Sequence, residues 1–251
     1  MARNLRILTL LVLLMLVAGM TFLERLWVRN WTRPLQVAVY PIAADAAGRE
    51  YLARLKAEDF QEIGDFLARE GQRWRRKPTP APQIVVQPAL GAPPPVPAPQ
   101  GRSGLAAVRY SLGLRWYAFR NTGFWESLGR VRLFVLYHAP REGEALPHSL
   151  GLERGLIGVV HVYASDAQRA QNNIVIAHEL LHTLGARDKY DRDGQPVHPI
   201  GYADFTADPV LPQSQAEIMA GRIPLTPGSS RIPRDLDEVV VGYATAAEIG
   251  W

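Results

Sequence analysis

The sequence predicts an α+β protein, with a mixed sheet of α/β type over residues 35–251, preceded by one N-terminal transmembrane helix. Three observations predict it. An almost unbroken apolar run fills Ile7 to Leu23, strand-like and helix-like periodicities alternate through the rest of the chain, and a helix with clear start and stop signals occupies Asp166 to Leu184. With 47% apolar residues the 251-residue chain can bury a substantial core, which excludes disorder.

The first element is the apolar run. It is about 17 residues long, near the lower limit for a bilayer span and long for a signal-peptide core. Arg3 and Arg6 precede it, Arg25, Arg29 and Arg33 follow it, and Trp27 and Trp31 are expected in the interfacial belt beyond the span. Residues 1–6 are therefore read as a short cytoplasmic segment, 7–23 as the anchor and 24–34 as juxtamembrane. The expected location is the inner cell membrane, single-pass, with the folded part on the extracytoplasmic side. Val17-Ala18-Gly19 only approximates a small-x-small cleavage site, so a cleaved secretion signal is the alternative.

The second group of elements makes the sheet. Leu35 to Pro41 alternates like a strand, and Glu50 to Trp74 carries apolar residues at three- and four-residue spacings, as one or two amphipathic helices would. Lys77 to Pro99 is a proline-dense loop (77–99) interrupted by Ile84 to Gln87, a short strand. Gly104 to Arg120 is helix-compatible, and Val131 to Tyr137 and Leu156 to Tyr163 read as strands.

Composition narrows the function. The formal charge of +4 and pI near 9.5 invite a nucleic-acid reading, but the basic residues are scattered and no reading motif accompanies them, so no nucleic acid is expected. The absence of cysteine excludes thiolate metal sites, disulfides and a cysteine nucleophile. Any metal must be held by nitrogen and oxygen.

The last helix carries the chemistry. Ser165-Asp166-Ala167-Gln168 has the form of a capping box, and Gly185 supplies the stop. His178 and His182, four residues apart, lie about 40° from each other around the axis and can face one ion. Glu179 stands beside that ion as a general base, while Ile174, Ala177, Leu181 and Leu184 form the opposite, core-facing stripe. A catalytic zinc takes three protein ligands, so a third is required. Asp188, Asp191, His198 and Glu217 are the candidates.

The run His178-Glu179-Leu180-Leu181-His182-Thr183-Leu184-Gly185-Ala186-Arg187-Asp188 resembles the metzincin zinc-peptidase motif, H-E-x-x-H-x-x-G-x-x-H, with aspartate in the last position. That departure is similar to the snapalysin-type metzincins. The resemblance implies a metzincin-like fold, one catalytic Zn2+ on His178, His182 and Asp188, and a peptide or protein substrate. It implies that Gly185 turns the chain back towards the metal and that Met219, in Glu217-Ile218-Met219-Ala220-Gly221, forms the Met-turn below it. The strand before the helix, Leu156 to Tyr163, looks like the family's edge strand, on which substrate backbone pairs.

Tyr190 and Tyr202, between the helix and the Met-turn, are candidate donors to an oxyanion. Asp191 to Gly194 reads as a polar turn, and His138, His148 and His161 as surface or strand residues. The expected activity is that of a membrane-anchored zinc metallopeptidase with Glu179 as base. The rival readings are a membrane-tethered protein whose zinc only stabilises the fold, a zinc amidase acting on cell-wall amides, and a thermolysin-like arrangement with Glu217 as third ligand.

Overall fold

The computed structural model describes residues 28–75, 80–95, 104–123, 129–140, 146, 149–152 and 156–251, with scattered residues of the first 23. Most of the expected 7–23 span, Trp27, His148 and parts of the proline-rich loop lie outside the described residues. Among the described residues no helix is long and apolar enough to cross a membrane.

Five strands form the central sheet: β1 (Gln36–Ala43), β2 (Gln83–Val86), β3 (Arg130–His138), β4 (Leu150–Leu152) and β5 (Ile157–Tyr163), in the order β2-β1-β3-β5-β4. The first four in that order are parallel, and β4 pairs antiparallel with β5 at one edge. Side chains alternate across a strand, so each strand of the middle of the sheet feeds two cores. Val37, Val39, Val131, Leu133, Val135, Val160 and Val162 pack on one face, Ala38, Tyr40, Ile42, Phe134, Leu136, Ile157 and Val159 on the other.

Helices α1 (Ala46–Leu52), α2 (Gln61–Trp74), α3 (Gly104–Asn121) and α4 (Arg169–Leu184) cover this sheet. Phe66 and Leu67 of α2 join Leu180 and Leu181 of α4 in the first core, whereas Tyr110, Leu114 and Ala118 of α3 join the second. The helical stretch expected over Glu50–Trp74 is two helices, with a short 3-10 turn over Ala57–Phe60 leading into the second. Past α4, the chain is mostly loop, with the short strands β6 (Ala216–Glu217), β7 (Ile223–Thr226), β8 (Ser229–Arg231) and β9 (Val239–Val240) and the final helix α5 (Tyr243–Ile249).

Two expectations are corrected. Leu156 to Tyr163 is not the outermost strand: β5 pairs with β3 along its length and, over Ile157–Val159, with the short antiparallel β4, whose backbone takes up that part of its other side and makes β4 the edge strand. Trp31 is not interfacial. It is 2% exposed, its indole Nε1–H donates to the Ile249 carbonyl at 2.9 Å and its ring meets Trp251, so it closes the core beneath α5.

Candidate metal centre

The helix α4 is positioned by polar ties at its start and apolar packing along its length. Its first turn is a 3-10 turn over Asp166–Gln168, and the Ser165 hydroxyl makes no cap, so the expected capping box does not form. Instead Asn172 bridges back to β5, its amide donating to the Tyr163 carbonyl at 2.8 Å and its oxygen accepting the Tyr163 N–H at 3.1 Å. The anticipated stripe of Ile174, Ala177, Leu181 and Leu184 is buried, as are Ile176 and Leu180. At the other end Gly185 takes φ 107° and ψ 6°, and the Ala186 N–H bonds the Leu181 carbonyl at 3.0 Å, closing a Schellman-type stop.

That reversal brings Asp188 back over the helix. Its Oδ1 lies 3.2 Å from His178 Nε2 and 3.0 Å from His182 Nε2. In a tetrahedral zinc site with bonds of about 2.0–2.1 Å, neighbouring donors stand about 3.3 Å apart, so the two aspartate–histidine separations need to widen by only a few tenths of an ångström. Both other ring nitrogens face backbone carbonyls: His178 Nδ1 is 3.0 Å from Ile218 O, and His182 Nδ1 is 2.8 Å from Ala186 O. A carbonyl only accepts, so each Nδ1 carries a proton, and Nε2 is the nitrogen that each ring turns towards Asp188 and has available for a metal.

Glu179 is 6% exposed, and its Oε2 is buried without a hydrogen-bond partner. Donor atoms of His178, Glu179 and His182 lie within 4.8 Å of one another, a group that could hold a metal ion. The electrostatics suit a cation. Burial acts to raise the Asp188 pKa, but the two imidazoles outweigh it and hold the carboxyl well below the usual carboxylate range. Burial acts to lower the His182 pKa, but Asp188 and Glu179 reverse the sign and raise it. Burial pushes Glu179 up, against the pull of both histidines. Asp188 remains 42% exposed at its side chain, so the site opens to solvent on that side.

The turn carrying Met219 passes beneath. Met219 is fully buried, and its carbonyl accepts the Lys189 N–H at 3.0 Å, one residue past Asp188. Glu217 is the internal brace of this turn: its Oε2 accepts the Met219 N–H at 2.7 Å and the Ala220 N–H at 3.0 Å, while Oε1 accepts from Gly242 N–H and the Thr245 hydroxyl. A Cβ on Gly242 would lie 2.7 Å from Glu217 Cγ, so only glycine leaves room for this carboxylate. With both oxygens engaged, Glu217 does not reach the histidines as a thermolysin-like ligand would.

The other candidates fall elsewhere. Asp191 Oδ1 accepts the N–H groups of Asp193 and Gln195 in the expected polar turn. His198 packs its ring edge-on against Tyr202, whose backbone bridges to Ala216, so both are engaged away from the histidine pair. Tyr190 does reach the site. Burial, with the Asp188 carboxylate nearby, pushes its pKa up to about 12.

Sequence reasoning missed three supports. The Ile218 and Ala186 carbonyls are backbone groups that no side-chain motif advertises. Glu248 on α5 accepts from both sides of Asp188, taking the Arg187 N–H at 3.0 Å and the buried Lys189 Nζ at 2.8 Å, and nothing in its local sequence signals this. Beside His178 lies a cavity of about 390 Å³, lined in part by Tyr163, Ile174, Val175, Ile218, Ile232 and Pro233.

Fold and site together define a mixed α/β protein, built on a largely parallel sheet, with a His–Glu–His group able to hold a metal ion. No protein-family model matches the chain, and no curated protein matches it. Among solved structures it is similar to wild-type OgpA from Akkermansia muciniphila in two crystal forms. One has a TM-score of 0.40 at 13% identity, the other 0.37 at 12%. Each alignment covers 86% of this chain and 60% of that one. The chain thus spans less than two thirds of OgpA.

Proposed function

We propose that the protein is a zinc-dependent metallopeptidase that hydrolyses peptide bonds, tethered to the inner cell membrane by residues 7–23 with its folded part on the extracytoplasmic side. The observation that supports the chemistry is the convergence of His178 Nε2, His182 Nε2 and Asp188 Oδ1 beside an unpartnered, buried Glu179 oxygen. His178, His182 and Asp188 would hold the ion. Bound there, zinc supplies Lewis acidity, lowering the pKa of water and polarising a carbonyl.

The rest is done by this chain's own groups. Glu179 accepts the proton of the attacking water and returns it to the departing amine, and its low exposure keeps that proton from bulk solvent. Tyr190, whose phenol lies near Asp188, is placed to donate to an oxyanion at the site. The apolar cavity beside His178 receives a substrate side chain next to the scissile bond, favouring a large apolar residue there. A purely structural metal has no use for a base, and a buried Glu179 oxygen without a partner carries a cost that packing alone does not explain.

The test compares the wild type with Glu179→Gln for zinc content and for cleavage of a peptide library. Zinc retained with turnover lost supports the mechanism. Undiminished turnover in the variant, or a zinc-loaded wild type that cleaves no peptide, overturns it.

A further inference from the structure

Helix α3 has two apolar faces. One carries Tyr110, Leu114, Tyr117 and Ala118 into the second core. The other carries Leu105, Val108, Leu112, Trp116 and Phe119, each more than half exposed. At about 100° per residue these five fall within about 80° of arc, a continuous stripe directly opposite the core. The Trp116 and Phe119 rings stack on it, with centroids 5.7 Å apart. A contiguous stripe of exposed large apolar side chains marks an interaction surface.

The charges flanking the stripe identify the partner. Arg109 and Arg120 are exposed along its border, and the helix contains no acidic residue. That bias extends well beyond α3: from Gly71 to Trp125 the chain has no aspartate or glutamate, although it holds arginines and a lysine. Protein partners present mixed charges, whereas a Leu/Val/Trp/Phe stripe bordered by arginine alone matches an anionic bilayer surface.

We propose that α3 is an in-plane membrane-docking helix that seats Leu105, Val108, Leu112, Trp116 and Phe119 in the interface of an anionic bilayer, with Arg109 and Arg120 on the headgroups. The helix is held by its buried face to the outer side of the sheet, so docking fixes the orientation of the whole domain against the lipid. This contact is separate from residues 7–23 and does not depend on the peptidase reading.

The protein has no cysteine, so one introduced thiol reports one position. The full chain bearing Leu112→Cys carries an environment-sensitive fluorophore and is reconstituted with phosphatidylcholine vesicles, with or without phosphatidylglycerol. Arg192→Cys, on an exposed turn, is the control. The proposal expects the label at 112 to shift to the blue in the mixed vesicles and to be quenched by acyl-chain nitroxides at a depth of about 5–10 Å, while the label at 192 stays in water. Arg109→Gln and Arg120→Gln should each reduce the ratio of docked to free helix about fivefold, the equivalent of about 1 kcal/mol per basic residue at an anionic surface. A label at 112 that remains in water on both vesicles overturns the proposal. So does one shielded before lipid is added, by a second copy if shielding rises with protein concentration, or by the chain's own apolar N-terminal run if it does not.

Discussion

Replacing Asp188 by asparagine keeps the shape of the side chain and removes the charge that draws it to His178 and His182 at 3.2 and 3.0 Å. The variant should lose zinc affinity by more than the roughly 10–100-fold typical of outer-shell changes, because an amide oxygen is a poor donor to the ion. Asp191→Asn should leave affinity unchanged, since Asp191 spends its carboxylate on Asp193 and Gln195 N–H groups. Competition with a chelator dye measures both, and equal losses in the two variants would remove Asp188 from the ligand set. At this scale the sequence was informative wherever function resides in side chains at fixed helical spacing. His178, Glu179 and His182 were legible for that reason. The groups that set the histidine tautomers were not, because the Ile218 and Ala186 carbonyls belong to the backbone and any residue could supply them.

At the scale of elements, the turn at Gly185 decides whether Asp188 reaches the histidines. With φ at 107°, an alanine there should cost about 1–2 kcal/mol, since an L side chain crowds the following carbonyl in the left-handed region. For a domain of this size that lowers Tm by about 2–8 °C. Zinc affinity should fall as well, because relief of the strain redirects residues 186–188. Calorimetry with and without zinc checks both, and a Tm loss with intact affinity would mean that Asp188 is placed independently of the turn. This stop was readable because glycine has a physical monopoly on such a backbone. The start is not readable in this way, since Ser165 caps nothing and Asn172 ties the helix to β5 from a position no capping rule covers. Strands β1, β3 and β5 were visible from alternation. The pairing order is not visible, because lateral neighbours leave no local pattern, and the edge beside β5 is the three-residue β4.

For the molecule as a whole, the two-faced sheet places a histidine pair where β3 and β5 end. His138 Nε2 and His161 Nδ1 are 2.8 Å apart, a contact that needs a proton on one of the two facing nitrogens but not on both. Burial, and then the proximity of His138, lower the His161 pKa from its ordinary value to about 4. In the unfolded chain the same ring titrates near about 6.5, so between those values the unfolded state binds more protons than the folded one. The stability that His161 contributes as a neutral ring is therefore complete above about pH 6.5 and is lost as the pH falls towards about 4. Acid release of a bound metal falls in the same range, so wild-type melting alone does not isolate the pair. Comparison with His161→Gln in the metal-free protein does: the variant cannot take up that proton, and the Tm difference between the two proteins should shift steadily against the wild type across this window. A difference that stays constant with pH would show that the ring is not held neutral by the sheet.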